Sequence, residues 1–230
     1  MQRRSAEKMS LRRLNRNTGF VAGLLVLLMS AGCASSGLLP SLGAPDSRPA
    51  ESAERGAEAA VDPTIPAAAR TLFEQATAVM AAGDFVEAEL RFKEFVLQYP
   101  EFPGAHVNLA IISAKNEDDD ATRAALDAAL AADPNHPAAL NQLGMLLRRN
   151  GNFLEAEAAY LKAVTVSPDY ALAHYNLGVL NELYLQRLEP ALQHFEAYQA
   201  LVGEDKQVER WIADLRRRVA ASQSTANVAE

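Results

Sequence analysis

Cysteine is almost absent from the 230-residue chain, which holds only Cys33, so no disulfide can close within it and no cysteine cluster can hold a metal. Histidine is scarce as well. His106, His136, His174 and His194 include no pair four residues apart and no His-Glu-x-x-His run, which removes the familiar zinc arrangements. No glycine-rich phosphate loop and no nucleophile elbow is present, and Asp118-Asp119-Asp120 lacks the spaced ligands and glycine of a calcium loop. That acidic run reads instead as a solvated turn that caps the next helix. With no catalytic constellation, neither an enzyme nor a cofactor or small-molecule substrate is expected.

Positive charge is also in short supply once the start of the chain is set aside. Residues 1–20 contain six of the 22 basic side chains and one of the 29 acids, so the rest carries 16 basic against 28 acidic residues, a formal net of −12. Such a surface repels phosphate backbones and argues against nucleic acid as a partner.

Long apolar runs are missing too. Phe20–Met29 is ten residues of apolar or small character, whereas a membrane-crossing helix needs roughly 20. A basic run before it and Ser30-Ala31-Gly32-Cys33 after it give the layout of a secretory signal. The small residues ahead of Cys33 resemble a bacterial lipobox, with Ser30 where leucine is usual. The resemblance implies a signal peptide over 1–32, cleavage before Cys33 and acylation of that cysteine, whose chains at about 0.8 kcal/mol per buried CH₂ would make the anchoring stable. The alternatives are an ordinary signal peptide with Cys33 incidental and a cytoplasmic protein whose apolar start is a short membrane helix. Ala34 follows the cysteine where an aspartate would imply inner-membrane retention, so the resemblance implies the periplasmic face of the outer membrane. Over 33–66 the lipidated cysteine is followed by linker chemistry without hydrophobic periodicity, carrying Pro40, Pro45, Pro49, Pro63 and Pro66,.

Beyond this lies a period. Pro100, Pro134 and Pro168 stand 34 residues apart, and alignment on them fills further columns. In the clearest unit Leu140, Leu143, Gly144 and Leu147 recur at i, i+3, i+4 and i+7, one face of a first helix. Gly151-Asn152 breaks it. Ala156, Tyr160 and Ala163 then face one way on a second helix before Pro168. The unit before shows Leu109, Ala110, Thr122, Leu126 and Ala129; the first shows Leu72, Ala76, Gly83-Asp84-Phe85, Ala88 and Phe92; the last shows Leu177, Gly178, Ala191 and Phe195, with one extra residue between Gly178 and Ala191.

This pattern resembles the tetratricopeptide repeat over about residues 69–203. The resemblance implies an all-α fold, a right-handed superhelix of about four helical hairpins. His106 and His174 occupy equivalent columns where an aromatic is common, so packing is their expected role. Stacked hairpins expose an apolar end, and the stripe Val208, Trp211, Ile212, Leu215, Val219 is the expected capping helix. An exposed basic helix built on Arg210, Arg216, Arg217 and Arg218, touching acidic headgroups or a partner, is the alternative. The folded domain is placed at 67–220 and a disordered tail at 221–230.

By column, the resemblance places a ligand groove on the first helices. Its residues are Phe73, Thr77 and Met80; Val107, Asn108 and Ile111; Asn141, Met145 and Arg148; and Tyr175, Val179 and Glu182. The expected function is a membrane-anchored scaffold that binds peptide segments of other envelope proteins. Within that class the chain is similar to pilotin-type lipoproteins that help secretin rings assemble for type IV pili, and to repeat lipoproteins accompanying TonB-type transducers. A factor that positions peptidoglycan enzymes is a further alternative.

Overall fold

The computed structural model describes residues 66–228, with side chains as far as Ser224. The expected signal peptide (1–32), Cys33 and the expected linker as far as residue 65 lie outside the described residues. The elements are α1 (Ala67–Ala81), α2 (Phe85–Gln98), α3 (Pro103–Lys115), α4 (Asp119–Ala132), α5 (Pro137–Arg149), α6 (Phe153–Val166), α7 (Ala171–Val179, running on as a π-helical stretch Leu180–Tyr184), α8 (Leu188–Val202) and α9 (Lys206–Val228). Among the described residues there is no strand and no helix long and apolar enough to cross a membrane.

Helix starts follow local chemistry. The Asp84 carboxylate accepts from Glu87 N at 3.1 Å and that of Asp118 from Ala121 N at 2.9 Å, and Pro103 and Pro137 open α3 and α5, where a missing N–H costs nothing. The acidic run is thus a helix cap. Between the two helices of each hairpin one residue must take a left-handed conformation. Gly83 (φ 87°) and Gly151 (φ 79°) do so freely, and Glu117 (φ 58°) holds the equivalent place in the second hairpin,.

The pairs α1/α2, α3/α4, α5/α6 and α7/α8 form four hairpins that stack in sequence. Ala76, Ala110, Gly144 and Gly178 are buried at the helix crossing, opposite buried Phe92, Leu126, Tyr160 and Phe195. The crossing is tight. A Cβ added at Gly144 would lie 2.5 Å from the Tyr160 ring, and one at Gly178 2.7 Å from Phe195. The three 34-spaced prolines also sit alike, because each carbonyl accepts a side-chain donor: Pro100 from His106 Nε2 (2.9 Å), Pro134 from Lys162 Nζ (2.6 Å), and Pro168 from His174 Nε2 (3.1 Å). Packing was the role expected of the two histidines; they also hydrogen-bond the joint between hairpins.

The extra residue before Ala191 is absorbed as the π-helical stretch. Leu185 N reaches back to Leu180 O (3.0 Å) and Arg187 N to Asn181 O (2.8 Å), while the buried Asn181 amide donates to Leu177 O at 2.9 Å. A one-residue insertion in a helix commonly takes this form.

Helix α9 closes the stack as expected. Val208, Ile212, Leu215 and Val219 are buried, and Trp211, half-buried, packs on Phe195 (ring centroids 5.5 Å) and Tyr175 (6.1 Å). Its basic side is engaged in ion pairs, Arg216 with Glu196 (2.7 Å), Arg217 with Asp214 (2.9 Å) and Arg218 with Glu182 (2.7 Å). The helix continues to Val228, so residues 221–228 are helical where a disordered tail was expected. No glycine or proline follows Gly203 to stop it,.

Candidate functional site

The first helices of successive hairpins touch one another, α3 against α5 and α5 against α7, and so line the inner face of the stack. The expected groove residues on that face divide into three groups.

Those of the first two hairpins belong largely to the interior. Phe73 is half-buried in an aromatic cluster, edge-on to Phe92 (5.8 Å) and Phe95 (5.7 Å). Met80 packs on the same core. Thr77, half-buried, donates its hydroxyl to Glu74 O at 2.9 Å. Val107 is 5% exposed against Ala129 and Ala139, with Ile111 packed beside it, and Asn108 is half-buried.

Those of the fourth hairpin are covered by α9. Tyr175 and Val179 are buried in one cluster with Val208, Ile212 and Leu215, and Glu182 accepts from Arg218 at 2.7 Å. Their periodicity is that of groove positions, but the closing helix lies where a ligand would, so these three are corrected to contacts of the cap.

The third group, on α5, is split. Asn141 is only 1% exposed and accepts from Asn176 Nδ2 at 2.9 Å. Its amide is therefore directed into the joint with the next hairpin, a correction to its expected role toward a ligand backbone. Met145 (37% exposed) and the half-buried Arg148 face an open depression of about 290 Å³, walled also by Gln142, Arg149, Ala114 and Tyr184. Here three successive hairpins contribute.

Tyr184 was not among the expected site residues. It is 45% exposed, stacks on Phe153 at 4.8 Å and lies beneath the Arg148 guanidinium at 5.9 Å. Its position follows from the π-helical stretch that contains it; the one-residue excess in the last unit was the available signal. Arg149 is held by Asp119 and by Ala114 O (3.2 Å), which fixes that wall of the depression.

The tyrosines deeper in are kept neutral. Burial pushes the Tyr160 hydroxyl well above its ordinary value, and burial followed by the nearby Asp205 carboxylate pushes Tyr198 up to about 12,. Nothing here forms a nucleophile with a base: the arrangement offers a cation, a thioether and an aromatic face. Among the described residues no group of three or more His, Cys, Asp or Glu side chains is placed to hold a metal.

The sequence profile of the tetratricopeptide repeat matches residues 73–137 and 141–206. The chain belongs to the tetratricopeptide-repeat family. Among curated proteins it is 44% identical over 54 residues to the protein O-mannosyl-transferase TMTC2 of Homo sapiens, covering 24% of this chain and 6% of that one. It is 36% identical over 77 residues to the peroxisomal targeting signal receptor of Eremothecium gossypii, covering 34% and 14%. The chain thus spans a small fraction of either relative. Among solved structures, PilF of Pseudomonas aeruginosa superposes with a TM-score of 0.59 at 23% identity, over 68% of this chain and 72% of that chain. MamA of Desulfovibrio magneticus RS-1 gives 0.55 at 20% identity, over 71% and 92%. Both share the superhelical stacking of tetratricopeptide-repeat hairpins.

Proposed function

We propose that the chain is a lipid-anchored interaction scaffold of the bacterial cell envelope, tethered through Cys33 to the periplasmic face of the outer membrane. It engages peptide segments of other envelope proteins along the inner face of its repeats. The observation that carries this reading is the depression between the second, third and fourth hairpins, which remains open beside Met145, Arg148 and Tyr184 while α9 covers Tyr175 and Val179. A groove with apolar side pockets and a few polar groups suits an extended or helical peptide. The lipobox-like residues before Cys33 and the proline-rich linker support the tether. Covalent lipid is the only added group the reading requires.

The test is photocrosslinking from a reactive residue placed at Met145, in cells that make the full chain with Cys33 intact. A discrete adduct that disappears when Tyr184→Asp, at an exposed wall of the same depression, is also present is the expected result. An adduct pattern indifferent to Tyr184→Asp removes the inner face from the reading. Cys33→Ala should move the chain out of the membrane fraction and abolish fatty-acid labelling; retention in that fraction would remove the anchor. Loss of surface pili, defective iron-complex uptake or altered cell shape on deletion would distinguish the pathways.

A further inference from the structure

The partner class can be narrowed, on the basis of that reading of the inner face, from the state of one cation. After Cys33 the chain is strongly acidic, and among the described residues most arginines are held by its own carboxylates, including Arg91, Arg123, Arg149, Arg187 and Arg218. Arg148 pairs with no carboxylate among the described residues.

Nor does Arg148 serve as a helix cap. The last carbonyls of α5 are taken by backbone donors: Asn150 N reaches Leu146 O (3.1 Å), Gly151 N reaches Arg148 O (3.1 Å) and Asn152 N reaches Leu147 O (2.9 Å). The guanidinium carbon lies over the Tyr184 ring at 5.9 Å, within reach of a cation–π contact that engages no N–H donor. The N–H edge of the guanidinium is the part that grips a carboxylate with two parallel hydrogen bonds.

An exposed ion pair by itself contributes little. The same depression supplies what is missing: Met145 is 37% and Tyr184 45% exposed, a flexible thioether and an aromatic ring lining one hollow, suited to an apolar side chain of varied shape. Desolvation by that side chain would strengthen the charge contact beside it.

We propose that this depression takes an acidic peptide segment, with a carboxylate on Arg148 next to an apolar side chain lodged between Met145 and Tyr184. An acidic scaffold in which Arg148 pairs with no carboxylate among the described residues would favour such a segment at that place over its acidic surface, which fixes register.

The test is selection of a random decapeptide library against the purified full-length protein in detergent, with Arg148→Gln, Arg148→Lys and Met145→Asp proteins in parallel and their folding checked by circular dichroism. Selected peptides should share an Asp or Glu beside a large apolar residue. Arg148→Gln should weaken them about 10-fold or more, and Arg148→Lys should restore part of the loss. Replacing the peptide's acid by its amide should weaken wild-type binding equally and add nothing further in Arg148→Gln. That arm needs no protein variant beyond Arg148→Gln.

Peptides that carry no acid, and that lose binding to Met145→Asp but not to Arg148→Gln, would overturn the acidic class while leaving the inner-face reading intact. Peptides indifferent to every inner-face substitution, or no selection at all, would remove both. Self-association abolished by Arg148→Gln would assign the face to a second copy and overturn the proposal.

Discussion

His174 and His194 face each other across the fourth hairpin with Nδ1 atoms 3.2 Å apart. Because His174 donates its Nε2 proton to the Pro168 carbonyl, its Nδ1 accepts, and His194 must be the donor in that contact. Burial, reinforced by His174, lowers the His194 pKa from 6.5 to about 4. Below pH 6.5 the unfolded chain therefore takes a proton that the native chain refuses until about pH 4, and stability falls as the pH drops through that interval. Thermal melts at pH 7 and pH 5 should show a lower Tm at pH 5, and His194→Gln should flatten the slope. His136, whose pKa is lowered by burial, should leave a residual dependence in that variant.

Two other single positions have calculable consequences. Gly144→Ala puts a methyl group 2.5 Å from a fully buried Tyr160 ring, and urea titration should register a loss of about 1–3 kcal/mol or more. Glu117→Gly relieves a left-handed conformation in a non-glycine residue at φ 58°. The strain removed exceeds the chain entropy added, so a gain of roughly 0.5–1 kcal/mol is expected in the same assay.

At the scale of elements, α9 behaves as a lid with a reporter. Trp211, the single tryptophan, contacts Phe195 and Tyr175, so its emission follows the docking of that helix on the fourth hairpin. Ile212→Asp places a carboxylate where the side chain is 3% exposed, which is costly without a partner. The expected outcome is red-shifted tryptophan emission with dye binding to the uncovered Tyr175, Val179 and Phe195, while most far-UV helicity remains. Coincident loss of both signals would contradict it.

What was legible in the residues, and what was not, divides along the same line. The columns Ala88, Thr122, Ala156, Ala191 and their aromatic or leucine partners could be read off because burial at a crossing recurs at fixed spacing. The inner face could not. Periodicity tells that Tyr175 and Val179 point inward but not that a later helix will lie on them. Likewise Asn141 meets Asn176 from the next unit, a partner visible only once the hairpins are stacked. Tyr184 escaped because the π-helical stretch shifts it off the column the repeat would assign, even though the extra residue that causes the shift was itself countable.

In the whole molecule, each hairpin contacts chiefly its neighbours, so stability is close to a sum of local and nearest-neighbour contributions. The aromatic cluster of Phe73, Phe92, Phe95, Tyr99 and Phe102 reinforces the first joint, and α9 seals the last. The open depression lies between these strengthened ends and takes its walls from Ala114, Met145 and Tyr184 on three consecutive units. A guest seated there would fasten coils of a spring to one another. The array would then resist being stretched or unwound while loaded, and a load pulled from its far end would be held by stiffness as well as by affinity.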